Sequence, residues 1–243
     1  MNRSTSPFAW WRFVKLFKDW RVFLDALLVT VGVALAALAL AVAIGAVLGI
    51  ISTSRRKPLR AVTRVYVEFF QNIPLVIIAF FMFNALPYAG IMLSTATIGI
   101  LGVGFYHGAY VAEVVRAGIE SIPKGQFEAA HSQGFSYFST MIHVVLPQTL
   151  TIILPPLTNQ AVNLVKNTSV LAMISGGDLM YRTNSWAADK ASYAPALVVS
   201  GALYFLLCFP LATAARAYEK RIIRAGLVTA ATEEKIIAVT DSE

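Results

Sequence analysis

The stretch from Ala26 to Ile51 contains no charged side chain, and Thr30 is its only polar one. A run of this kind exceeds the roughly 20 apolar residues a helix needs to cross a hydrocarbon layer of about 30 Å. Composition points the same way. Hydrophobic residues make up 57% of the 243 and charged residues 14%, against about 45–50% and about 25% in soluble globular chains. Intrinsic disorder, a coiled coil and a small disulfide scaffold are thereby excluded. One cysteine, Cys208, allows neither an intrachain disulfide nor a cysteine cage for a metal. The three histidines, His107, His131 and His143, are too scattered to suggest a metal site. The fold class is an all-α integral membrane protein.

Four further apolar runs follow: Val65 to Leu86, Thr95 to Val115, Ile142 to Val165 and Ala194 to Ala215. That gives about five spans. Glu68, Gln71, Asn72 and Pro74 interrupt the second, and Pro147 with Pro155-Pro156 marks the fourth. In the first, Gly45 and Gly49 lie one turn apart, a spacing that lets a neighbouring helix approach closely. The 20 Lys and Arg sit mostly at the edges of apolar runs, so their excess over 13 Asp and Glu suits a membrane surface better than nucleic acid. Arg55, Arg56, Lys57, Arg60 and Arg64 fall between runs one and two, Arg116 and Lys124 between three and four, and five more follow Ala215. Positive charge gathers on cytoplasmic loops, so the N-terminus is expected outside and the C-terminus in the cytoplasm. The expected organisation is an amphipathic segment over 1–22, a membrane domain over 23–217 and a cytoplasmic tail over 218–243. Residues 8–23 mix Trp and Phe with Lys and Arg, as in a helix lying among headgroups or in an ordinary flanking stretch rich in interface anchors.

No G-x-x-x-x-G-K-[ST] phosphate loop occurs, so the chain is not expected to hydrolyse ATP. A G-x-S-x-G elbow and an H-E-x-x-H pair are also missing. Five spans do not divide into equal inverted halves, which counts against a self-contained secondary carrier. Between runs three and four, residues about 122–137 read as a short helix. Pro123 suits its first turn, Ala129 and Ala130 add little bulk, and Gly134 ends it or permits close approach. Such a helix either docks in a partner's cleft or lies on the surface unpartnered.

The residues Glu128-Ala129-Ala130, then Gly134, then Leu146-Pro147, resemble the EAA loop of permease subunits of bacterial ABC importers. Three further segments are similar to the polar amino acid group that handles histidine, glutamate, glutamine and arginine: Gly108 to Ile119, Ile122 to Gln126 (with Gly125) and Asn163 to Ser169. Tyr66 to Leu75 matches that group's second-span signature, with Gln71 in place of its usual Arg, and Val144 replaces an Ile. The resemblance covers Ala26 to Ala215. It implies a type I importer permease fold with a cytoplasmic coupling helix, working with an ABC ATPase dimer, a second permease subunit (a copy or a sister chain) and an extracytoplasmic amino acid binding protein. It also implies the bacterial inner membrane as the location, and ATP and Mg used by the partner rather than any cofactor on this chain. Glu128, Ala129, Ala130, Gly134 and Gly125 would couple to the ATPase. Tyr66 to Glu68 and Asn163 to Asn167 lean toward glutamate or aspartate, with glutamine also open.

Ionisable groups inside spans are functional candidates. Glu68 lies four residues after Arg64 and Glu113 three before Arg116, so each pair shares a helix face. These read as local ion pairs or as a polar network at an inner gate. Pro155-Pro156 should interrupt the fourth helix and free carbonyls toward a cavity or a kink. Beyond it come Asn159, Asn163, Lys166 and Asn167; Lys166 suits a substrate carboxylate and Glu113 its ammonium. Asn72 and His107 are further substrate-path candidates, His107 being equally readable as a packing residue. The segment from Lys166 to Tyr193 reads as an external connection with a short helix. A stand-alone ion-coupled carrier or channel, and a membrane-embedded enzyme, are the competing classes.

Overall fold

A computed structural model describes residues 6–54 and 56–240, with 222–240 as helical backbone alone. The described residues form helices and no strand. Ten α-helices follow in order: α1 Trp10–Lys18, α2 Trp20–Ser52, α3 Lys57–Asn72, α4 Leu75–Asn84, α5 Thr95–Glu120, α6 Lys124–Ser132, α7 Tyr137–Thr140, α8 Leu146–Asn167, α9 Leu179–Asp189 and α10 Tyr193–Thr240. Four helical stretches are long and apolar enough to cross a membrane: Trp20–Ser52, Thr95–Glu120, Tyr137–Ile174 and Tyr193–Arg221. The fifth run is α3 and α4 together, bent by 95°.

The bend has a local cause. Pro74 pushes the residue before it out of the helical region, and Ile73 is extended at φ −111°, ψ 131°. The run expected as one interrupted span therefore turns almost at right angles. In the fourth span, Pro147 has no N–H for the preceding turn, and Met141–Val145 just before it widens into one turn of π-helix. Pro155 and Pro156 behave differently from the expectation. The helix continues through both, because the adjoining turns are fixed against α5: Thr149 and Ile153 both press on Gly118.

Helices α2 and α5 lie side by side in parallel and form the centre of the bundle. Ala37, Ala41, Gly45 and Gly49, each four residues on, are all buried on one face of α2. Without a hydrophobic drive between helices in lipid, close contact of small residues is what brings backbones together. A methyl group at Gly45 would collide with Val111, and one at Gly49 would lie 2.6 Å from the Val115 Cβ. Helices α3 and α8 run antiparallel to α5, and each also touches α2. Tyr66 on α3 donates to the Phe105 carbonyl at 2.7 Å.

The bundle thus has a basic end, where α2, α5 and α10 finish and α3 and α7 begin, and a distal end. Distally, Leu16 of α1, Phe23 and Ala26 of α2, Leu179, Trp186 and Ala187 of α9 and Ala196 of α10 form one buried cluster. Trp186 Nε1 donates to Asp19 Oδ2 at 2.8 Å, and Arg12 donates to the Ala191 carbonyl at 2.7 Å. Asp178 caps α9 by accepting from the Met180 N–H at 3.0 Å, while the Leu179 N–H donates to Thr30 Oγ1 at 2.9 Å. Asp178 is 0% exposed, and its Oδ1 has no partner among the described residues. Desolvation pushes its carboxyl up to about 6.

Element boundaries differ from the sequence expectations in three places. Of the 1–22 segment, α1 occupies Trp10–Lys18 and α2 already starts at Trp20; residues 1–5 lie outside the described residues. The loop helix expected over 122–137 is α6, Lys124–Ser132, with Pro123 at its N-cap rather than in its first turn. The expected tail over 218–243 continues as α10 helix to Thr240, and 241–243 lie outside the described residues.

Candidate functional site

At the basic end, α6 packs back on the bundle through buried Ala130 and part-buried Phe127. Its C-terminus closes in a Schellman arrangement: Gly134 N–H bonds the His131 carbonyl at 2.9 Å and Phe135 N–H bonds the Ala130 carbonyl at 3.1 Å. Gly134 sits at φ +83°, a left-handed conformation that costs other L-residues about 1–2 kcal/mol. Among the described residues, no atom beyond the adjoining chain lies within 4 Å of where a Cβ would stand on Gly125 or Gly134. Glu128 and Ala129 are exposed, whereas Ala130 faces inward. The five loop residues named from sequence thus divide into an outward set (Gly125, Glu128, Ala129, Gly134) and one buried alanine.

The remaining candidates, Asn72 apart, fall into two cavities. The first, about 690 Å³, opens between α3 and α5 at the basic end, and Arg64, Glu68, Gln71, Glu113, Arg116 and Glu120 are among its lining residues. Its ion pairs stay within single helices: Arg64 to Glu68 at 2.6 Å, and Arg116 to Glu113 at 2.7 Å and to Glu120 at 2.6 Å. Asn72 stands exposed at the bend, its Nδ2 donating to the Glu68 carbonyl at 2.7 Å.

A second cavity, about 250 Å³, lies between α5 and α8 and is lined by Tyr106, His107, Tyr110, Gln160, Asn163, Lys166 and Asn167. It has room for several waters at about 30 Å³ each. His107 spans the two helices, with Nδ1 at 3.3 Å from Gln160 Oε1 and Nε2 at 3.0 Å from Asn167 Nδ2. Tyr106 and Tyr110 hydroxyls meet at 3.1 Å. Four predicted path residues, His107, Asn163, Lys166 and Asn167, are therefore brought together. Glu113 is not among them; it lines the other cavity, paired with Arg116. Sequence reading missed Gln160, Tyr106 and Tyr110 and chose Asn159, which is exposed. Helical spacing held the signal: 160, 163 and 167 share one face of α8, and 106, 107 and 110 one face of α5.

Residues 41–224 match the family described as "Binding-protein-dependent transport system inner membrane component". The chain is 37% identical over 207 residues to the probable glutamine ABC transporter permease protein GlnM of Bacillus subtilis (strain 168), covering 85% of this chain and 96% of that protein. It is 34% identical over 200 residues to the probable glutamine permease protein GlnP of the same organism, covering 81% and 92%. Among solved structures, a crystal structure of an amino acid ABC transporter with histidines aligns at TM-score 0.80 and 27% identity, over 86% of this chain and 98% of that one. The inward-facing MetNI methionine ABC transporter, at TM-score 0.67 and 17% identity over 83% and 98%, shares the fold.

Fold and family together define a multi-pass permease domain of an ABC importer, not an ATPase. The chain belongs to the polar amino acid (histidine/glutamate/glutamine/arginine) family of bacterial ABC importer permeases. It is the membrane component of such an importer and works with a separate ATPase, which sets aside the stand-alone carrier and the membrane enzyme. The family architecture implies an extracytoplasmic binding protein as a further partner.

Proposed function

We propose that this chain, paired with a second permease subunit that is either a copy or a sister chain, carries amino acids with acidic or amide side chains inward through the cavity between α5 and α8. The observation that carries the reading is the gathering of His107, Asn163, Lys166 and Asn167 around that cavity. Lys166 supplies the counter-charge for the carboxylate common to all amino acids, and the neighbouring amides supply neutral donors and acceptors. The glutamine permeases among the relatives support a substrate of this size and polarity. Glu68, Glu113 and Arg116, with Asn72 at the α3–α4 bend, border the exit. The basic end faces the cytoplasm, since positive loops favour that side, so the N-terminus lies outside and the C-terminus inside.

In this reading α6 is the coupling helix. Glu128 makes polar contacts in the ATPase cleft, Gly125 and Ala129 keep the approach open, Ala130 seats the helix on the bundle, and Gly134 fixes its exit. Closure of the ATPase pair then displaces α6 and, through it, the feet of α5 and α8. The test is Gly134→Glu, which strains the cap by about 1–2 kcal/mol and adds charge and bulk on the docking side. ATP-driven uptake in reconstituted vesicles is expected to be lost while the protein still inserts in the membrane. Uptake at the unaltered rate overturns the coupling role.

A further inference from the structure

A neutral imidazole has one N–H donor and one acceptor nitrogen. His107 is 2% exposed and uses both nitrogens on side-chain amides, Gln160 at 3.3 Å and Asn167 at 3.0 Å. Whichever nitrogen carries the proton, one amide must turn its oxygen to the ring and the other its NH2. Each amide then has its opposite end left over, and both residues line the cavity. In the arrangement seen, Gln160 has its NH2 to spare and Asn167 its Oδ1. The other tautomer exchanges these roles but still leaves one whole NH2 and one whole carbonyl oxygen unengaged. A carboxamide, which has one C=O and one NH2, matches such a pair. A carboxylate only accepts, so one of its oxygens would face the spare amide oxygen.

We infer that His107 sets the Gln160–Asn167 pair as a reader of carboxamide side chains, so that the path favours glutamine-like amino acids over the corresponding acids. This rests on the substrate path proposed above and narrows it from acid-or-amide to amide. His107 acts as a positioning residue, because its two nitrogens are occupied by the amides it orients. Lys166 does not discriminate, since every amino acid offers it the same backbone carboxylate. Among the described residues no carboxylate lines this cavity, so none of its lining favours a cationic side chain.

The test is equilibrium binding of radiolabelled glutamine and glutamate to the purified permease–ATPase complex in detergent, with the binding protein left out. The unaltered complex is expected to prefer glutamine about tenfold, the worth of a mismatched buried hydrogen bond. His107→Leu should bring the ratio to within about twofold of unity, because the freed amides can rotate. His107→Gln, whose amide again offers one donor and one acceptor, should restore the preference. If His107→Leu fails to assemble, Gln160→Leu carries the same expectation by deleting half of the pair. An unchanged ratio in either leucine variant, or equal binding of the two amino acids by the unaltered complex, overturns the inference alone. Lys166→Met should weaken both amino acids alike. No effect on either would overturn the path reading, and the inference with it.

Discussion

The two ends of the bundle are held by different means. At the distal end, side-chain hydrogen bonds join segments far apart in sequence: Trp186 to Asp19, Leu179 to Thr30, Arg12 to Ala191 and Thr183 to Ser200. At the basic end, the ion pairs of α3 and α5 are closed within one helix each. Among the described side chains, only the bond from Gln148 to Gln126 at 3.3 Å crosses between elements there. A bond inside a helix moves with that helix and resists nothing. Distal geometry is therefore fixed by polar contacts as well as by apolar packing, whereas the basic end is held mainly by shape, as where Ile153 fills the space beside Gly118. On the coupling role proposed for α6, the end that must respond to it is the one with few polar contacts to break.

The contrast is sharpest at Trp186, buried in the distal cluster, bonded to Asp19 and edge-on to Phe23 with ring centroids 5.7 Å apart. Trp186→Ala is expected to cost about 3–5 kcal/mol, read as a fall in thermal midpoint of the detergent-solubilised protein. A loss below about 1 kcal/mol would break the comparison. Asp178 should give a smaller, pH-dependent effect. The folded protein keeps its proton up to about pH 6, while an unfolded chain releases it near about 3.9. The folded state binds more protons between those values, so stability falls as pH rises from about 4 to about 6, by at most about 3 kcal/mol. Asp178→Asn can still cap α9 and should flatten that slope; an unchanged pH profile would assign the slope elsewhere. The smallest effect belongs to the basic end. Arg116→Met should change stability by less than about 1 kcal/mol, because its partners Glu113 and Glu120 are more than one-third exposed. A loss comparable to that of Trp186→Ala would show that this cluster does hold helices together.

Much of the fold was legible in the sequence because lipid imposes a simple rule on length and polarity. The runs beginning at Ala26, Thr95, Ile142 and Ala194 each correspond to a spanning stretch, and the small-residue pair Gly45 and Gly49 does lie at a helix contact. The right-angle turn at Ile73 was not legible, since a proline in an apolar run permits a kink, a break or neither. Pro155 and Pro156 show the other outcome, decided by the packing of Ile153 on α5. For the candidate site, polar residues at one helical spacing singled out Asn163, Lys166 and Asn167, and His107 stood out as a histidine inside a span. Their assembly around one cavity depends on how α5 and α8 are set against each other. The separation of Glu113 from Lys166 follows from the same register. Gln160 and the two tyrosines were overlooked because their role comes from His107, which meets Gln160 at 3.3 Å from the facing helix and lies beside both rings.

The seam between α2 and α5 has a mechanical consequence. With Val111 and Val115 seated against Gly45 and Gly49 and no space for a methyl between them, neither rod can slide or roll on the other without a collision. The two behave as one stiff strut whose foot adjoins α6. A push delivered at that foot travels to the far leaflet without being absorbed on the way. On the coupling role proposed for α6, a probe attached to the lipid side of α2, remote from any solute, would therefore register the stroke of the motor.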